Sequence, residues 1–219
     1  MGCTITAEDN GFEKTADYEQ IKESTYIATC IQVIDLGTQK NYFFGKDKPD
    51  AKKKAAEYKK EIMFVFELDE LMQDGRPFFI TATYEKVFYK TDKSNAKNSL
   101  QYLLEKWRGK ECTPDELKRF NLSNVLGVPC NMTVKLKDKP DTKGRYWPLI
   151  EAVSSLRKPK EAVPPINELV DFGINDIDDA ELFAKVHPLG QYKIKESKEG
   201  KAYFLGIHDV DPEEPGEAF

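Results

Sequence analysis

Residues 61–68, "EIMFVFEL", do most to limit what this chain can fold into. Side chains alternate across a strand, so Ile62, Phe64, Phe66 and Leu68 share one face. Glu61, Met63, Val65 and Glu67 share the other. A helix would scatter those four large apolar groups around its axis, whereas a strand aims them all at one core. A strand must also pair, so the neighbouring sequence has to supply partners. It does so on both sides. Upstream, "TYIATCIQVIDLGTQ" is mainly β-branched or aromatic from Tyr26 to Ile34, with Gly37 expected to close the run. Downstream, Asp74-Gly75 signals a turn, and "FFITATYEKVFY" reads as a third strand.

The period then changes. In "NSLQYLLEKWRG", Leu100, Leu103, Leu104 and Trp107 recur at helical spacing, and Gly109 supplies the stop. Trp107 therefore reads as core, and Arg108 and Lys110 as cations serving the helix C-terminus. Thr113, Pro114 and Glu116 make a second helix start with a capping box. Alternation returns with Val128, Cys130, Met132, Val134 and Leu136. "YWPLIEAVSSL" is a fifth strand, which Pro148 marks as an edge or as irregular. The order β-β-β-α-β-β predicts a mainly β protein: a five-stranded OB-fold barrel with its helix between strands three and four. The expected organisation is a flexible arm over residues 1–24, the barrel over 25–157, a linker and small appendage over 158–207, and an acidic tail over 208–219. In the appendage, "DDAELFAKV" suggests a short helix and the stretch around Glu199-Gly200 a hairpin.

Charge is divided along the chain. Residues 161–219 carry a net −9, whereas the first 160 carry +4. Within that basic body, Lys40 to Lys60 holds eight lysines against three acids, and Lys135 to Arg145 five bases against two acids. The four cysteines (Cys3, Cys30, Cys112, Cys130) form no C-x-x-C pair and read as reduced thiols. Two histidines offer no catalytic arrangement, and Asp176, Asp178 and Asp179 read as a helix start, not a calcium loop. No metal, cofactor, catalytic residue or membrane span is expected, and the protein is read as a non-enzyme. "MGCTIT" does match the myristoylation pattern, which needs a host possessing the acyltransferase.

Two stretches, "VIDLGTQ" and "NSLQYLLEKWRGKECTPDELKRFNLSNVLGVPCNMTVKL", carry a likeness that covers about residues 21–172. Through them the chain resembles a family of bacteriophage single-stranded-DNA-binding proteins of OB-fold type. The most specific parts of the likeness are Trp107-Arg108-Gly109-Lys110, then Thr113, Glu116 and Leu117, and then Leu126-Gly127-x-Pro129-Cys130. The resemblance implies a role in DNA replication or recombination, in the cytoplasm of an infected bacterial host.

Single-stranded DNA requires cations for its phosphates and flat apolar faces for its bases. Three clusters interleave the two. The first is Tyr42, Phe43, Lys46, Lys52, Lys53, Lys54, Tyr58 and Lys59, between strands one and two. The second, at the end of strand three, is Tyr84, Lys86, Tyr89 and Lys90. The third, between strands four and five, is Lys137, Lys139, Lys143, Arg145, Tyr146 and Trp147. The first and last lie in the loops an OB-fold uses for oligonucleotides. The tail carries Asp209, Asp211, Glu213, Glu214 and Glu217 and ends on Phe219, a composition suited to recruiting replication or recombination proteins. Self-association is left open. The rival reading is an OB-like protein-interaction module, host-directed or anti-defence, without DNA binding.

Overall fold

A computed structural model describes residues 19–41, 57–88, 99–141, 144–156 and 162–206. Six strands form one mainly antiparallel sheet: β1 (Ser24–Asn41), β2 (Glu57–Leu71), β3 (Pro77–Glu85), β4 (Pro129–Leu136), β5 (Pro148–Ser155) and β6 (Val170–Phe172). Among the described residues five α-helices accompany them: α1 (Leu100–Arg108), α2 (Pro114–Arg119), α3 (Ala180–Lys185), α4 (Pro188–Glu196) and α5 (Lys198–Leu205). The strand order is β3-β2-β1-β4-β5, with β6 parallel to β1. Among the described residues no ladder joins β3 to β5, so the sheet is not closed.

β1 organises this arrangement. Its first third pairs with β4 (Ser24↔Val134 to Thr29↔Pro129) and its remainder with β2 (Ala28↔Leu68 to Asn41↔Glu57). Where β4 departs, β6 takes its place beside Gln32, Val33 and Ile34. The strand runs through Gly37, which was expected to end it. Gly37 has φ +69 and sits at a register shift after Asp35, so it bends the strand as a bulge and pairing resumes beyond it.

The alternation in β2 sorts the core into two. Ile62, Phe64, Phe66 and Leu68 face inward with Cys30, Val33, Ile80, Met132 and Val134, under a lid of Leu100, Leu103, Leu104 and Trp107 from α1. Trp107 packs edge-on to Phe64 at 6.5 Å and tilted against Phe66 at 5.3 Å, and donates its indole N–H to Pro129 O. Ser99 caps α1, and the expected box of Thr113 and Glu116 caps α2. Arg108 and Lys110 both reach Glu116 at 3.1 Å, so these cations tie α1 to α2.

Met63 and Val65 face the other way. With Ile31, Ile34 and Leu36 they bury Val170, Phe172, Val186 and Ile194 of the C-terminal segment. The hairpin expected at Glu199-Gly200 is replaced by α4 and α5, meeting at Ser197. That hydroxyl accepts from Gly200 N at 2.8 Å and donates to Ile194 O at 2.6 Å. A Cβ on Gly200 would lie 1.8 Å from Ile194 O, so the turn between the helices requires glycine there. The fold uses the four-residue spacing of Gly190 and Ile194, both buried on one face of α4.

Residues 19–23, assigned to the arm, are anchored to the body. Ile21 is buried, Glu19 accepts from Gln73 N, Gln20 from Tyr146 N and Glu23 from Leu136 N.

Candidate nucleic-acid interface

The three clusters meet different fates. Tyr42, Phe43, Lys46, Lys52, Lys53, Lys54, Tyr89, Lys90 and Lys143 lie outside the described residues, as do Asp209, Asp211, Glu213, Glu214, Glu217 and Phe219. The remaining members can be placed.

The rest of the first two clusters converge at one corner, because the β1–β2 and β2–β3 registers bring the start of β2 and the end of β3 together. Tyr58 lies opposite Lys40, whose ammonium sits 5.6 Å from its ring centroid. Lys59 pairs with Glu85 at 3.2 Å, and Lys86 pairs with Asp35. Tyr84, read from sequence as a stacking surface, instead turns its ring into the core, 6.1 Å from Phe64. Burial pushes its phenol up to about 12. Position 84 falls on the inward parity of β3, in register with Ile62. Lys59 and Lys86 are neutralised here, and Tyr84 is turned away.

The third cluster stands at the other end of β1, since Ser24 pairs with Val134. The β4–β5 ladder pairs Leu136 with Pro148 and Lys135 with Leu149, and Lys137 N donates to Trp147 O at 2.9 Å. That bond extends the register by one pair, so Lys137 lies opposite Trp147. Lys135, Lys137, Trp147 and Leu149 therefore share the outward parity, while Met132 and Val134 point into the core. Trp147 is 56% exposed, against 4% for Trp107, the chain's other tryptophan. Tyr146 is also exposed. Lys137 and Lys139 are exposed and have no ion-pair partner among the described residues. Arg145 differs: its guanidinium reaches Asp141 Oδ2 at 3.2 Å and its amide donates to Asp141 Oδ1, which closes the turn. Lys135 pairs with Glu151 at 2.7 Å. Lys135 and Leu149 were not among the residues predicted to bind. The outward alternation of Thr133, Lys135 and Lys137 was the signal available for the first of them.

Chemically, this hairpin offers a flat indole opposite Lys137, with Lys137 and Lys139 both without an ion-pair partner among the described residues. Among the described residues no group of three or more His, Cys, Asp or Glu side chains is placed to hold a metal, and no helix is long and apolar enough to cross a membrane. Cys30 and Cys130 are buried free thiols whose pKa values burial raises, which makes them poor nucleophiles.

Comparison with known proteins returns no match: no family model, curated protein or solved structure is similar to the chain.

Proposed function

We propose that this protein binds single-stranded DNA without catalysing a reaction, coating it by base stacking and phosphate neutralisation during phage replication or recombination. The observation that carries this reading is the exposed Trp147 opposite Lys137 on the β4–β5 hairpin, where Lys137 and Lys139 have no ion-pair partner among the described residues. Stacking on an aromatic contributes about 1–3 kcal/mol per base and is tolerant of sequence. The strand order supports the reading too. With β1 bonded to both β2 and β4 and a helix between β3 and β4, the connectivity is that of an OB-fold barrel lacking its β3–β5 seam. Tyr42, Phe43 and the lysines from Lys46 to Lys54 are proposed to add backbone contacts, and the acidic tail ending in Phe219 to recruit partner proteins.

A protein partner is the second reading, favoured by one observation. A cleft of about 140 Å³ between the end of β2 and the linker is bordered by Leu71, Val163 and Ile166, all at least half exposed. Such an apolar border suits a protein better than a polyanion.

Fluorescence anisotropy of labelled oligo-dT and a matched duplex separates the two. It should be run at two salt concentrations, with full-length protein and with a form lacking residues 208–219. Preferential, salt-sensitive binding to the single strand, kept or strengthened without the tail, supports the DNA reading. Equal weak binding to both nucleic acids at low salt removes it.

A further inference from the structure

Resting on the single-stranded-DNA reading, we infer that the strand is held on the β4–β5 hairpin, a base on Trp147 and phosphates on Lys137 and Lys139, and that the outer face of β1–β2–β3 takes no part. In a sheet of this connectivity that outer face is the broad surface flanked by the first and third clusters, so it is the obvious place to look for a ligand. Here the chain itself occupies it. Residues 170–200 lie across it, and nine side chains from the two layers (Ile31, Ile34, Leu36, Met63, Val65, Val170, Phe172, Val186, Ile194) are no more than 3% exposed. Phe79 of β3 packs against the same cluster.

Polar contacts fix this cover in place. Gln32 donates to Lys185 O and accepts from His187 N. Gln39 donates to Lys193 O, and Lys193 reaches Glu61 and Thr83. The Thr38 amide and hydroxyl both donate to Glu199 at 2.7 Å. Lifting the cover would expose nine apolar side chains to water and exchange these hydrogen bonds for bonds to water, a cost that a polyanion does not offset. The cover is part of the fold.

Charge points the same way. A cation already held by a carboxylate must give up that partner before it can release counterions from DNA. Lys59, Lys86 and Lys193 are all so held. Among the described residues Lys137 and Lys139 are not, and Lys137 lies opposite the exposed Trp147.

The test titrates full-length protein with oligo-dT, following anisotropy and intrinsic fluorescence across salt. Oligo-dT is expected to quench wild-type emission, and the quench should vanish in W147F, where Trp107 alone reports. W147A should weaken binding roughly tenfold. The double variant K137Q/K139Q should reduce the slope of log Kd against log salt by about 1.4, as two phosphate contacts are lost. Neutralising Lys59 and Lys86 together should change the slope by less than half as much. Thermal melts confirm that each variant is folded. If W147A and K137Q/K139Q bind like wild type while K59Q/K86Q loses affinity, the hairpin assignment is overturned and DNA binding stands. If the wild-type protein ignores oligo-dT even at low salt, the DNA reading fails and this inference falls with it.

Discussion

The outer surface of the sheet has two halves. Over β1 and β2 it is apolar, covered by residues 170–200, and rimmed by lysines that already hold carboxylates. Over β4 and β5 it is open, carrying Trp147 and Leu149 in water with Lys137 opposite the tryptophan. Both halves contain aromatic and basic residues in the sequence. What separates them is whether each group already has a partner in the fold. Apolar area and positive charge mark a surface for ligands only when the protein has not used them itself.

This contrast can be broken most directly through the cover. Phe172→Ala removes a ring that is 1% exposed and packed on Phe183, so a loss of about 3–5 kcal/mol is expected in denaturant unfolding. Because β6 is hydrogen-bonded to β1, that loss should appear in one cooperative transition. A separate early melt of the C-terminal segment, with the sheet unaffected, would show that the cover is a removable layer.

A smaller effect is expected at Glu199. Burial opposes its charge, but the two Thr38 donors outweigh that and hold its carboxyl below the ordinary value. Glu199→Ala leaves the Thr38 amide without its acceptor and should cost about 1–3 kcal/mol. A loss no larger than that of an arbitrary surface substitution would mean that the latch is ornamental.

His187 sharpens the comparison through pH. Burial lowers its pKa below the ordinary 6.5, and its Nδ1 accepts from Leu189 N at the start of α4. The native state thus prefers the neutral ring while the unfolded chain takes up a proton near 6.5. The stability this supplies is complete above that pH and is lost as pH falls through the lowered native value. Wild-type Tm should fall between about pH 7.5 and about pH 5.5 by more than that of His187→Asn, which keeps a cap without titrating in that window. Parallel profiles for the two proteins would remove the role.

The smallest stability effect belongs to the open half. Trp147→Ala should shift unfolding by no more than about 0.5 kcal/mol, since the ring is largely in solvent. Trp107→Ala, by contrast, empties a site among Phe64, Phe66 and Pro129 and should cost about 3–5 kcal/mol. Comparable losses from the two would place Trp147 in a packed site.

Much of the fold is legible in residue order because its signals are local. The period of two in residues 61–68, the helical spacing ending at Gly109 and the box of Thr113 and Glu116 each need only a few neighbours to be read. What sequence order misplaces are features that depend on distant partners. Gly37 looked like a terminator and is a bulge, because β2 continues to pair beyond it. Ser197 looked like a point on a hairpin strand and caps a helix, because the close helix turn at Gly200 excludes any side chain. Tyr84 and Trp147 are both aromatics near strand ends, and one is core while the other is exposed.

By itself, then, the sequence determined a mainly β chain: five strands in their order, a helix after the third, the inward set of Ile62, Phe64 and Phe66, and Trp107 as core. These follow from periodicity and capping, which are properties of adjacent residues. Only the tertiary structure decided that residues 170–200 cover one half of the sheet, that Lys59 and Lys86 are neutralised while Lys137 and Lys139 are not, and that the sheet stays open between β3 and β5. Those outcomes depend on which groups from remote parts of the chain arrive at the same place, and no local pattern encodes that.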